Sequence, residues 1–267
     1  MTSANVGGIK IQYRDSGGDG PAVLLLHAFP LHSGMWDAQF DALGDDYRLI
    51  APDLKGFGGS DAPEDRGTYS MDSYADESAG LLDELGVTDV VLVGLSMGGY
   101  IAFSFLRRHP ERVRALVLAD TRAEADPPEG VAKRSAQQKM VEEEGTGGLI
   151  RALPGALLGT TSQEKRPEVV ARATTLMDNP SAGFIGALEA MKNRVDSTGD
   201  LASISIPTLV IVGDEDGVTP PEASRKMHEH VGGSSLVVIP EAGHLSNLEA
   251  PAEFNEALAP FLARSTG

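Results

Sequence analysis

Short apolar runs rich in Val, Ile and Leu alternate along this chain with stretches of helical periodicity, and that alternation constrains its fold more than anything else. The strand candidates are Gly8–Tyr13, Ala22–Leu26, Tyr47–Ala51, Val90–Gly94, Val113–Ala119, Thr208–Gly213 and Leu236–Ile239. From Ala22 onward they are nearly unbroken apolar segments, the pattern of strands buried on both faces of a parallel sheet. Helices are expected at Met71–Leu85, Met97–Arg108 and Ala223–Val231. A last one starts at Pro251 and repeats Phe254, Leu258, Phe261 and Leu262 at helical spacing. Such a β-α-β-α succession predicts an open, doubly wound α/β sheet.

The alternation stops between Thr121 and about Asp200. That stretch has no strand-like run, only helical segments punctuated by "DPPEG", "GTGG", "LPG", "KRPE" and "DNPSAG". About four short helices are expected there. The division is therefore a core of residues 1–120 and 201–267 and a helical cap of 121–200, set over the strand ends where ligands bind in such sheets. With 267 residues, one large domain carrying an insertion is the natural size class.

Composition excludes several functions. The formal net charge of −17 argues against nucleic acid or an anionic membrane as partner. With no cysteine there is no disulfide framework, thiolate nucleophile or Cys-ligated zinc, which fits a reducing, cytoplasmic setting. The N-terminal residues show neither a basic start nor an apolar core, so no signal peptide is expected. The longest greasy stretch, "AVLLLHAFPL", is too short to span a membrane. "HEH" at 228–230 is too isolated for a metal site, and no dinucleotide fingerprint occurs; no metal or cofactor is expected. "DLKGFGGS" (53–60) reads as a tight turn after a strand.

At residues 90–103, "VVLVGLSMGGYIAF", the period switches from strand to helix around a serine. "GLSMG" fits G-x-S-x-G between strand and helix, a turn that lifts Ser96 Oγ above the sheet with a helix N-terminus beneath it. Downstream lie a strand with an acidic loop, "TLVIVGDEDGVTPP", and then a strand, a loop with His244 and the last helix, "LVVIPEAGHLSNLEAP". The order Ser, Asp, His on successive strand-end loops suits nucleophilic catalysis, because a neutral serine needs an adjacent base. His244 is the candidate base; His27, His32, His109, His228 and His230 are placed in a strand-end motif, near it, at a helix end and on a surface helix. Three carboxylates compete to be its partner: Asp214, Asp216 and Asp120.

"LLLHAFP", "DLKGFGGS", "GLSMGG" and "GDEDGVTP" with "GHLSNLEAP", in that order, make the chain resemble the α/β-hydrolases, serine-nucleophile branch, from Gly8 to Leu262. The resemblance implies a mostly parallel open sheet flanked by helices, with a small all-helical cap inserted after the sixth strand. It implies a triad of Ser96, His244 and Asp216, with Asp120 at the position some relatives use instead. The oxyanion would be held by the backbone N–H groups of Met97 and Phe29. His27-Ala28 departs from the H-G of many relatives, though alanine is small enough to keep the hole. Phe29 and Trp36 are candidate substrate contacts; for Trp36, packing from a helix onto the sheet is the alternative.

The expected activity is hydrolysis of small or medium carboxylic esters through an acyl-enzyme, with no cofactor and a small-molecule ester or lactone as partner. "HAFPLHSGMW" also resembles cofactor-free haloperoxidases and perhydrolases, and "MWDAQFDAL" the 3-oxoadipate enol-lactonases. An enol-lactonase needs a cation for the substrate carboxylate; Arg122, Arg151, Arg172 and Arg194 lie in or beside the cap but are expected on the surface. A receptor of the same fold without turnover is the remaining class.

Overall fold

The computed structural model describes residues 2–266. In chain order the elements are β1 (Thr2–Val6), β2 (Ile9–Asp15), β3 (Ala22–Leu26), α1 (Asp37–Leu43), β4 (Arg48–Pro52), α2 (Met71–Glu84), β5 (Val90–Leu95), α3 (Met97–Arg108) and β6 (Val113–Ala119). Five helices follow: α4 (Pro128–Glu144), α5 (Gly147–Leu157), α6 (Thr160–Lys165), α7 (Pro167–Leu176) and α8 (Ser181–Lys192). The chain then returns to β7 (Thr208–Gly213), α9 (Pro221–His230), β8 (Ser235–Ile239), α10 (Ser246–Glu249) and α11 (Pro251–Thr266).

One eight-stranded sheet runs in the order β1-β2-β4-β3-β5-β6-β7-β8. β1 pairs with β2 and β2 with β4 antiparallel; every other pairing is parallel. β5 and β7 are buried along their whole length, as their unbroken apolar sequences require: Val90–Leu95 and Thr208–Gly213 have no exposed residue. Helices flank this sheet, with α2 packed on α3 and α1 on α11. Ser70 and Ser73 start α2 with reciprocal side-chain-to-backbone caps of 2.9 and 3.0 Å, a good stop for the preceding loop.

The order reverses at β3: the chain leaves it for β4 on one side and β5 on the other. Loops leaving β3 and β5 therefore lie side by side at the switch point, where open α/β sheets form a crevice. The loops after β6, β7 and β8 extend the same rim.

Three details differ from expectation. β1 joins the sheet through a hairpin whose turn, Gly7–Gly8, has φ of +59° and +90°. α1 adds a helix after Trp36. The stretch between β6 and β7 holds five helices rather than four, the first of them 17 residues long. "LPG" does not break a helix, because Pro154 lies inside α5, and the break comes instead at Leu158–Gly159.

Candidate active site

Ser96 occupies the turn between β5 and α3 with φ +55° and ψ −112°, a conformation that non-glycine residues rarely adopt. The surrounding glycines make it possible. A Cβ on Gly94 would lie 2.3 Å from the Gly98 carbonyl oxygen, and one on Gly98 would lie 2.1 Å from that of Leu26. The turn is fastened to the next strand: the Ser96 N–H donates to the Ala119 carbonyl at 3.0 Å, and Thr121 Oγ1 donates to the Ser96 carbonyl at 2.8 Å.

Ser96 Oγ donates to Nε2 of His244 at 2.7 Å, and His244 Nδ1–H donates to Oδ2 of Asp216 at 2.9 Å. This pattern puts the ring proton on Nδ1 and leaves Nε2 as the acceptor facing the hydroxyl. Asp216 is fully engaged. Its Oδ1 accepts from the N–H groups of Val218 and Thr219 at 2.8 and 2.9 Å, and its Oδ2 also accepts from Thr219 Oγ1 at 2.7 Å. Burial pushes this carboxyl up, but the charge and hydrogen bond of His244 and the Thr219 bonds outweigh it, and the net shift is downward. Asp216 is thus an anion at neutral pH, bonded to the imidazole.

Of the other two acid candidates, Asp214 is exposed and Asp120 does not touch the imidazole. Asp120 directly follows β6 with φ +42° and is fully buried. Its Oδ1 accepts from the Gly213 N–H at 2.9 Å, and its Oδ2 meets the hydroxyl and N–H of Ser246. It ties the loop after β7 to the loop after β8. Burial first, and then the charge of Asp216, hold its carboxyl well above the usual carboxylate range.

His27 is also fully buried. Its Nδ1–H donates to the Ala28 carbonyl and its Nε2 accepts from the Leu54 N–H, both at 3.0 Å, so it braces the loop after β3 rather than facing the serine. Burial pushes this imidazole down to about 4. In the turn after β4, the buried Asp53 accepts from the N–H groups of Ser33 and Gly59, and Lys55 is buried against Glu77.

A cavity of about 440 Å³ opens on Ser96 and His244. Phe29 and Tyr100 line it from the loop after β3 and from α3; Leu153, Leu157 and Met191 line it from the inserted helices. Phe29 packs edge-on against Phe57 and Phe184, at 6.2 and 5.4 Å between centroids. Among the described residues, neither the Phe29 nor the Met97 N–H has a protein acceptor.

Trp36 lies elsewhere, which corrects its assignment as a substrate contact. It is fully buried with its ring 6.2 Å from Phe254 of α11, because the turn leading into α1 carries the large apolar indole into the core. The arginines are not uniformly on the surface either. Arg151 and Arg172 are exposed, the latter paired with Asp37. Arg194 is buried, 4.1 Å over the Tyr100 ring and 2.9 Å from Asp126. Arg122 lines the cavity.

Sequence reasoning missed the latch between the inserted helices and these loops. The His244 N–H donates to the Leu157 carbonyl at 2.8 Å. Glu249 accepts from the Gly159 N–H, and Glu215, beside Asp216, accepts from the N–H and hydroxyl of Thr161. Glu215 and Glu249 sit inside the quoted motifs, yet nothing in their spacing marks a partner so far away in sequence. Among the described residues no group of three or more His, Asp or Glu could hold a metal ion, and no helix is long and apolar enough to cross a membrane.

Known proteins are similar to this chain in sequence and fold. The family model for the alpha/beta hydrolase fold matches residues 21–251. A 3-oxoadipate enol-lactonase 2 from Acinetobacter baylyi is 30% identical over 92% of this chain and 90% of its own length. A malate-bound thermophilic esterase from Thermogutta terrifontis superposes with a TM-score of 0.94 at 37% identity, covering 100% of this chain and 99% of that one. A bromoperoxidase from Bacillus anthracis gives a TM-score of 0.86 at 26% identity, over 98% of this chain and 100% of its own. With the family model matched over most of its length, the chain belongs to the α/β-hydrolase fold family.

Proposed function

We propose that the chain hydrolyses carboxylic esters of small or medium size, with Ser96 as nucleophile, His244 as general base and acid, and Asp216 as the triad acid. The observation that carries this reading is the unbroken hydrogen-bonded chain Ser96–His244–Asp216 opening on a cavity of small-ligand size. His244 Nε2 takes the Ser96 proton as Oγ attacks the acyl carbon. The tetrahedral oxyanion accepts from the N–H groups of Phe29 and Met97. His244 returns the proton to the departing alkoxide, and a water then repeats the attack on the acyl-serine, regenerating Ser96 and releasing the acid. Asp216 orients the imidazole and stabilises it while protonated. Helices α4–α8, within residues 121–200, serve as the lid over this site, and residues 1–120 and 201–267 as the core. Phe29 contributes a side-chain contact to the substrate.

The test is a rate panel with p-nitrophenyl esters of increasing acyl length. Turnover by the wild type that disappears in Ser96→Ala, with the melting temperature retained, is expected; an active Ser96→Ala would remove Ser96 from its role. A chain that bound esters without turning them over would be a receptor instead. A second reading is favoured by the enol-lactonase match over nine-tenths of both chains: a lactone is an internal ester and is opened by the same steps. A panel of lactones beside the linear esters separates the two. Peracid formation from acetate and hydrogen peroxide outpacing ester cleavage would replace both by the perhydrolase reaction.

A further inference from the structure

Arg122 is out of keeping with the rest of this acidic chain. Asp and Glu number 39 against 22 Lys and Arg, and nearly every arginine among the described residues is ion-paired. Arg122, Arg151 and Arg264 are not, and the last two are exposed to water. Arg122 is half-buried in the loop after β6, on the wall of the cavity that holds Ser96 and His244. One amino group donates to the Val218 carbonyl. Its Nε is shielded from solvent and has no acceptor. A buried guanidinium donor left unsatisfied costs free energy until something completes it.

The neighbouring charges do not complete it. Asp126 also lines the cavity, but its carboxylate is already shared by Arg134 and Arg194. Lys133 lines the same wall and, among the described residues, has no carboxylate partner. A molecule of net charge −17 thus keeps uncompensated positive charge beside its serine.

We propose that the substrate is an ester bearing a free carboxylate, a monoester of a short dicarboxylic acid, and that Arg122 receives the carboxylate while Lys133 adds charge on the same wall. This rests on the ester-hydrolase reading above. A guanidinium meets a carboxylate through charge-assisted hydrogen bonds, and the Arg122 amino group not given to Val218 supplies the donors. Hydrolysis breaks the acyl C–O bond of the ester end, adds water across it, and releases an alcohol and the dicarboxylate. The free carboxylate is unchanged throughout; it orients the molecule so that the ester carbonyl is the end presented to Ser96.

The test compares monoethyl succinate with diethyl succinate at neutral pH and low salt, reading the ratio of kcat/KM for the charged over the neutral ester. General damage to the enzyme cancels in that ratio. The wild type should favour the charged ester, and Arg122→Gln should lower the ratio by about tenfold to a hundredfold. Arg122→Lys should recover part of it, and Lys133→Gln should lower it by roughly two- to fivefold. A wild type indifferent to the charge, or a ratio that survives Arg122→Gln, overturns the inference. Calorimetric titration of succinate into Ser96→Ala and into Ser96→Ala/Arg122→Gln separates it from the parent reading. Succinate binding that depends on Arg122 while no ester is turned over would refute ester hydrolysis and leave the carboxylate site standing. Ester turnover with a flat ratio and no succinate binding would do the reverse.

Discussion

Two buried aspartates, Asp216 after β7 and Asp120 after β6, are held by different hydrogen bonds. Asp216 bonds the imidazole, whereas Asp120 bonds Gly213 and Ser246. Asp216→Asn would present an amide to Nδ1, favour the wrong tautomer and cost kcat about 10⁴-fold, as loss of a triad acid does elsewhere. Among the described residues Asp120 bonds only Gly213 and Ser246 and does not reach the imidazole, and an amide there keeps an oxygen to accept from them. Asp120→Asn should lower kcat by no more than about tenfold. Ester kinetics of the two variants decide it, and the reverse order would make Asp120 the partner of His244. The sequence left this open for a physical reason: both residues follow a buried strand, and only the loop conformation decides which carboxylate reaches the ring. Ser96 and His244 were legible because their motifs fix strand, turn and helix around them. For Trp36 the sequence allows both core and pocket, and the structure takes the core. Arg122 is on the cavity wall rather than the surface, because an arginine between strand and helix says nothing about which wall it joins.

Among the elements, the strands read from sequence fell within a residue or two of those observed, since hydrophobic runs bounded by turns leave little freedom. β1 escaped notice because "TSANV" is a polar edge strand, mostly exposed, whose place comes from the hairpin rather than from its own apolarity. The inserted helices were legible as helices, but not in how they dock. α8 shows why: it crosses the turn after β4 so closely that a Cβ on Gly183 would lie 1.8 Å from the Gly56 carbonyl oxygen. The next residue, Phe184, packs on Phe29 at the cavity. Gly183→Ala should therefore push α8 outward, destabilise the fold by about 1–3 kcal/mol and disturb Phe29, lowering kcat/KM on esters. Gly199→Ala, where an added Cβ meets nothing within 4 Å, is the control and should stay within about 0.5 kcal/mol. Urea midpoints and ester kinetics on both variants check the pair; equal effects would mean that the close crossing is not what seats α8.

For the whole molecule, two pH-dependent forces pull in opposite directions. A net charge of −17 makes the compact state repel itself at neutral pH, and acidification relieves that as carboxylates neutralise. His27 works the other way. Its imidazole is held at about 4 in the fold, against an ordinary 6.5 when unfolded. Below pH 6.5 the unfolded chain gains a proton there that the folded chain refuses. The stability is full above 6.5 and falls as the pH drops to about 4, by roughly 3 kcal/mol in all. Salt tells the two apart, because in roughly 1 M NaCl charges more than about 3 Å apart are screened, whereas the desolvation of a buried ring is not. Thermal melts should show a salt-induced rise at pH 7.5 that shrinks towards acid, and a decline between pH 6.5 and 4 that persists in salt. His27→Gln, less stable at neutral pH for want of the imidazole's fit between Ala28 and Leu54, should flatten that decline. A decline that salt abolishes, or that His27→Gln leaves intact, would assign the acid sensitivity of this fold to its overall charge rather than to the histidine bracing the loop beside its serine.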